Sequence, residues 1–250
     1  MNRRMIWAAG LSAAGLLLIV IGVAGLRRGA TAPASPLVAS PPVAAPQPAR
    51  TAPARTEPSA AAAVPLTTPG VERYFSAAVG LGDAAYAVQP GDTLTKIAKK
   101  NGTTVELLRV SNGIQGDMIR AGQRLKVPKA SFSVLVDKSQ NTLTLKDGEE
   151  VVKVYRCSTG REGITPAGAF RIVSRMVDPV WKGVVNPGDP KNPLGTRWLG
   201  FDLPQYGIHG TNDPASIGKP VTAGCVRLAN SDVEELYTLL PEGTSVTVVE

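Results

Sequence analysis

His209 and Cys225 are the two side chains in this 250-residue chain whose types could together perform nucleophilic chemistry. A thiol becomes an effective nucleophile when a neighbouring imidazole takes its proton and stabilises the thiolate. His209 sits in Ile208-His-Gly-Thr211, and Cys225 follows 16 residues later in Thr222-Ala-Gly-Cys-Val-Arg-Leu228. By spacing alone, the pair is weak evidence for chemistry and reads better as two satisfied core residues. The other cysteine, Cys157, lies late in a strand-like run, Val154 to Gly160, and reads as a buried, inert thiol.

Composition narrows the chemistry. Two cysteines are too few for a disulfide framework and lack metal-ligand spacing, and a lone histidine argues against a His-based zinc site, so no metal and no cofactor are expected. The formal charge is +7, but residues 1–80 hold seven arginines against Glu57 and Glu72, so five of those charges lie there. The remainder of the chain has no clustered basic stripe, which argues against a nucleic-acid partner.

The elements that must carry the pair begin after a long approach. Met5 to Leu26 is an uninterrupted run of 22 apolar or small residues between Arg3/Arg4 and Arg27/Arg28. About 20 such residues span a bilayer as a helix, so residues 1–28 are expected to form a single N-terminal transmembrane helix with 5–26 in the membrane. The run is longer than the apolar core of a signal peptide, and the arginine pairs on both flanks nearly cancel any charge bias on orientation. Residues 29–80 hold ten prolines between Pro33 and Pro69 among Ala, Ser and Thr, too little apolar surface to offset chain entropy. They read as an extended linker with a reach on the order of 100 Å.

Residues 84–129 read as a compact β-α-α-β unit. Tyr86 and Val88 alternate as a strand. Gln89-Pro-Gly-Asp-Thr93 makes a turn with Asp92 placed to cap a helix holding Leu94, Ile97 and Ala98. Thr103 to Glu106 has capping-box spacing before a second helix through Leu107 and Leu108, and Arg124 to Val127 is a final strand. From Phe132 the apolar period becomes two: Val134 and Val136, then Leu143 and Leu145, then a turn at Asp147-Gly148 before Val151 to Tyr155. Strand signals return at Phe170–Val173 and Thr244–Val249, and Asp232–Leu240 reads as an amphipathic helix. The fold class expected for residues 131–250 is therefore mainly β with few helices.

The segment 84–129 resembles a LysM module: Tyr86-x-Val-x-Pro-Gly-Asp-Thr-Leu94 opens it, and Gly122-Gln-x-Leu-x-Val-Pro128 closes it, with Ile97-Ala98 and Asn112 between. That resemblance implies glycan binding at Gly91, Asp92, Thr93 and Ile114. Turn and capping chemistry account for Gly91 and Asp92 without any ligand. Residues 132–250 are similar to the YkuD-type L,D-transpeptidase family, marked by His-Gly-Thr, about fifteen residues, then Ser/Thr-x-Gly-Cys-x-Arg. Thr165-Pro-Ala-Gly-Ala-Phe170, Ser158-Thr-Gly160 and Asn192-Pro-Leu-Gly195 also fit. The fold implied is a YkuD-like β-sandwich.

By that resemblance Cys225 is the acyl-accepting nucleophile, His209 its general base, and the Gly210 carbonyl orients the second imidazole nitrogen. Backbone N–H groups around Gly224 and Cys225 would hold the oxyanion, with Thr222 adding a hydroxyl. Arg227 either positions a substrate carboxylate or braces the cysteine loop. Trp181, Trp198 and Tyr206 line the cleft or pack beneath it. Ala223 stands where many members have a second histidine, leaving His209 as the sole imidazole.

The implied reaction releases the terminal D-Ala of a peptidoglycan stem tetrapeptide and passes the acyl group to an amine. Rivals are an L,D-carboxypeptidase, in which water is the acceptor, and a non-catalytic wall-binding tether. An NlpC/P60-type cysteine hydrolase fits less well, because there the Cys precedes the His. The expected location is the cytoplasmic membrane, with the domains facing the periplasm or cell wall and peptidoglycan as the partner. Oligomeric state is not readable.

Overall fold

The computed structural model describes residues 70–77, 83–182 and 186–250. The expected transmembrane segment and most of the expected linker lie outside these residues, and among the described residues no helix is long and apolar enough to cross a membrane. Residues 70–77 fall within the range read as linker, yet they build a short helix, α1 (Glu72–Phe75). Val71 and Tyr74 are buried in the core of the β domain, and Tyr74 Oη donates to Asp147 at 2.7 Å. A proline-rich approach masks this segment at the level of composition; two large apolar side chains at the right distance from a sheet are enough to order it.

A βααβ unit follows. β1 (Ala84–Ala87) pairs antiparallel with β2 (Arg124–Val127) around α2 (Leu94–Asn101) and α3 (Val105–Ser111). Its own core is Val88, Leu94, Ile97, Ala98, Leu108, Leu125 and Val127. Both helix starts differ in detail from expectation. Thr93, not Asp92, caps α2, accepting Lys96 N–H at 3.2 Å. Asp92 instead closes the preceding turn, accepting Gln89 N–H and Tyr86 Oη–H, each at 2.8 Å. At α3 the cap is Thr104, one residue later than the Thr103–Glu106 box, so Glu106 is free to pair with Arg175 instead.

The larger part is one mixed sheet of eight strands: β3 (Phe132–Asp137), β4 (Thr142–Asp147), β5 (Glu150–Arg156), β6 (Gly168–Val177), β7 (Arg197–Phe201), β8 (Gly207–His209), β9 (Val226–Arg227) and β10 (Ser245–Val249). Their order is β5-β4-β3-β10-β6-β7-β8-β9. The period-two pattern has a direct result in register: Val246, Val134 and Leu145 lie side by side, as do Val248, Val136 and Leu143, all buried. Burying each such side chain contributes roughly 1.5–3 kcal/mol. β6 joins two halves, its first residues pairing with β10 and its last with β7 across an irregularity near Ile172 to Ser174. The sheet then curls on itself, because Ser158 and Arg227 exchange two N–H···O bonds of 2.8 Å and so tie the end of β5 to β9.

The remaining helix, α4 (Asn230–Leu239), buries Val233, Leu236 and Leu239 and packs against β7 and β8. α3 serves two cores at once: Leu108 points into the small unit and Leu107 joins the core of the β domain. Thr104 Oγ1 bonds the Thr238 carbonyl, and Arg175 reaches Glu106 at 3.1 Å while lying 4.1 Å over the Tyr237 ring.

Candidate active site

β8 and β9 bring the two sequence candidates together. These strands are parallel neighbours, with His209 paired in register with Arg227, and Cys225 enters β9 immediately before Val226. No periodicity announces either strand, since each has only two or three residues; their pairing is made by the sheet.

His209 is buried, and its Nδ1 lies 2.6 Å from the Gly210 carbonyl oxygen. A carbonyl can only accept, so Nδ1 carries the proton and Nε2 keeps its lone pair. Burial pushes the imidazole down to about 4, with the Arg227 charge adding to the effect and the Gly210 bond opposing it. The ring stacks at 6.0 Å on Trp198, its cross-strand partner on β7. Glycines clear room for that indole: a Cβ on Gly207 would come within 2.9 Å of Trp198 Cζ2, and one on Gly200 within 2.6 Å of its Nε1.

Cys225 is partly exposed and donates its thiol proton to the Gln205 carbonyl at 3.3 Å. Burial holds the thiol above its ordinary value, against a lowering by a Gly207 backbone hydrogen bond and by Arg227. Burial thus disfavours the thiolate of Cys225 and the imidazolium of His209 alike.

The other expected residues have specific and partly different duties. The Thr222 hydroxyl donates to Cys225 O at 2.6 Å and accepts Gly224 N–H at 3.1 Å. Thr222 Oγ1–H and Gly224 N–H, both expected to hold an oxyanion, are therefore already engaged, whereas the Cys225 N–H has no hydrogen-bond partner among the described residues. Gly224 has φ 123°, and a Cβ there would meet Tyr206 Cε1 at 2.6 Å, so the turn before the thiol requires glycine. Arg227 Nη1 donates to Ser216 Oγ at 2.9 Å, bracing the loop, while its buried Nε has no partner. Arg227 also lines a cavity of about 390 Å³ with Asp213, Ser216 and Lys219. Cys157 is fully buried, which pushes its thiol up to about 12.

In the small unit, Ile114 lines a cavity of about 590 Å³ with Asn112, Met118 and Arg120; Gly91, Asp92 and Thr93 do not line it. Among the described residues no three His, Cys, Asp or Glu side chains gather to hold a metal. Gln205 and Gly207 enter the site through backbone groups, for which the sequence carries no signal, whereas Trp198, one of the aromatic residues expected at the cleft, stacks on His209.

Comparison with known proteins agrees with this arrangement. Residues 131–248 match the model of the YkuD family, the L,D-transpeptidase catalytic domain, and residues 86–128 match that of the LysM domain. The YkuD protein of Bacillus licheniformis is 38% identical over 171 residues, covering 65% of this chain and 97% of its own length. The chain belongs to the YkuD family of L,D-transpeptidases. The YkuD protein of Bacillus subtilis is likewise 38% identical over 171 residues, with the same shares covered. YqjB of Bacillus subtilis is 39% identical over 124 residues, 47% of this chain and 70% of its own. This YkuD-family enzyme thus joins a LysM domain to a mainly β catalytic domain with few helices.

Proposed function

We propose that this enzyme acylates Cys225 with the stem tetrapeptide of peptidoglycan, releases the terminal D-Ala, and transfers the acyl group to an amine. The observation that carries the reading is the imidazole of His209: Nδ1 is committed to Gly210, so Nε2 is a free base on the strand beside the one that Cys225 enters. Nε2 takes the thiol proton as sulfur attacks the carbonyl at the L-centre of the third, diamino residue. The Cys225 N–H holds the resulting oxyanion. Collapse breaks the bond to D-Ala, whose nitrogen receives the proton from His209, and a thioester remains. An amine of a second stem peptide or a wall-attached protein then displaces sulfur to form the cross-link. Lys219 and Arg227, which share a cavity with Asp213, are cations that a substrate carboxylate would pair with.

The boundaries that fit this role are residues 84–129 for glycan binding through the cavity at Ile114 and 131–250 for catalysis. The apolar run 5–26 and the proline-rich stretch after it support a membrane-anchored protein working outside the cytoplasm, within reach of the wall. The test is Cys225→Ala with defined tetrapeptide muropeptides: D-Ala release and cross-linking are lost while glycan binding is retained. Mass spectrometry of wild-type products distinguishes dimers from trimmed monomers. Undiminished D-Ala release by Cys225→Ala would reject the assignment.

A further inference from the structure

The Gly210 carbonyl that fixes His209 is half of a peptide plane, and the other half is the Thr211 N–H. That N–H donates to Asn230 Oδ1 at 2.9 Å, and the Thr196 N–H reaches the same oxygen at 3.4 Å. In a planar trans peptide the N–H and C=O directions are locked antiparallel, so holding one aims the other. The Asn230 amide lies flush on two glycine backbones: a Cβ on either Gly210 or Gly195 would sit 2.1 Å from Asn230 Oδ1. The approach is built into the fold, because only Leu228 and Ala229 separate β9 from Asn230 at the start of α4, and Leu228 N–H bonds the His209 carbonyl at 2.9 Å.

We infer that Asn230 is a positioning residue for acyl transfer: by holding the Gly210–Thr211 peptide it aims the Gly210 carbonyl at Nδ1 and keeps the Nε2 lone pair of His209 available to Cys225. An amide N–H that already donates also polarises its carbonyl, strengthening the bond Gly210 makes to the ring. Without Asn230 the peptide is free to rotate, Nδ1 loses its fixed acceptor, and the ring can exchange its proton between the two nitrogens. The tautomer with the proton on Nε2 cannot take one from sulfur. The inference rests on the catalytic reading above, but its primary readout does not.

His209 is the only histidine of the chain, so selective ¹⁵N-histidine labelling of the full-length protein reports this one ring. Wild type is expected to show a single Nδ1–H tautomer. Asn230→Ala and Asn230→Leu are expected to show tautomer mixing, with D-Ala release from a tetrapeptide muropeptide slowed about tenfold or more. Asn230→Asp keeps an oxygen for the Thr211 N–H and is expected to restore the tautomer and most of the rate. Its carboxylate favours the imidazolium, so the acid limb of its pH–rate profile moves upward. A wild-type tautomer in Asn230→Ala, or in Asn230→Leu should the alanine variant not fold, overturns the inference. So does an Asn230→Asp variant that neither restores the tautomer nor shifts the profile. If wild type shows the single tautomer but releases no D-Ala, the catalytic reading fails and the inference about the ring stands.

Discussion

Thr222 Oγ1 donates to the carbonyl of Cys225 at 2.6 Å while accepting the Gly224 N–H at 3.1 Å, so one hydroxyl closes the turn that presents the thiol. The side chain is buried. Removing it leaves two backbone groups without partners, at a cost of about 1–3 kcal/mol for each one buried.

Thr222→Val is therefore expected to reduce the rate of Cys225 acylation about 10- to 100-fold, because displacing a reacting group by around 1 Å is costly. Thr222→Ser keeps both bonds and is expected to stay close to wild type. Single-turnover acylation by a carbapenem, followed by intact-protein mass spectrometry, measures both; equal rates in the valine and serine variants would remove the role.

The pH dependence follows from His209. Its folded value of about 4 lies below the ordinary 6.5, so between those values the unfolded chain binds the extra proton and the folded one does not. Stability from this group is full above about pH 6.5 and declines as pH falls toward 4, by on the order of 3 kcal/mol in all. Urea midpoints in wild type are expected to fall over that window, and to fall less in His209→Gln. The acid limb of acylation should follow the same titration, near pH 4.

The two thiols differ in reach. Cys157 is sealed in the core and pushed up to about 12 by burial, whereas Cys225 is partly exposed. Brief treatment with iodoacetamide at neutral pH is expected to modify Cys225 alone in the folded protein and both thiols after denaturation. Peptide mapping decides, and early labelling of Cys157 would contradict the packing.

Gly224→Ala meets both an unfavourable backbone angle and the Tyr206 ring. A loss of about 1–3 kcal/mol and of acylation activity is expected, since strain of this kind has that typical size. Adding Tyr206→Ala relieves the clash but not the angle, so the double variant should recover stability only in part, as read by thermal melts.

Arg175 reaches from β6 to Glu106 on α3 and covers the Tyr237 ring of α4. Arg175→Met is expected to lower stability by about 1–3 kcal/mol, because it leaves a half-buried carboxylate unpaired. Denaturation followed separately at the LysM and catalytic domains measures whether the loss of Arg175 moves the two melts apart.

Reading along the chain succeeds where local rules act. The spacing by two of Phe132, Val134 and Val136, the alternation of Leu143 and Leu145 with threonines, and the turn at Gly148 specify β3 to β5, because a side-chain period of two and a hairpin turn are properties of neighbours. Glycine and asparagine mark the ends of α2 and α3 for the same reason. At both helices the cap lies one residue later than the spacing predicts, since Asp92 and Thr93, or Thr103 and Thr104, offer equivalent oxygens and the choice between them depends on what surrounds the turn. The helix at Glu72–Phe75 is hidden because Tyr74 is held by Asp147 and packs edge-on against Phe132, both far away along the chain.

At the active site the division is the same. Residue types and spacing singled out His209 and Cys225 without any coordinates, because nucleophile and base are properties of side chains and the motif around them is local. The tautomer of His209, the Gln205 carbonyl on the thiol, the double bonding of Thr222 and the reach of Asn230 emerged from strand pairing and from α4 packing on β7 and β8. Each has a backbone group as one partner, and every residue carries those, so no letter of the sequence distinguishes the ones that matter. Their identity arises when distant segments meet in the closed sheet and each buried N–H and C=O must find a partner.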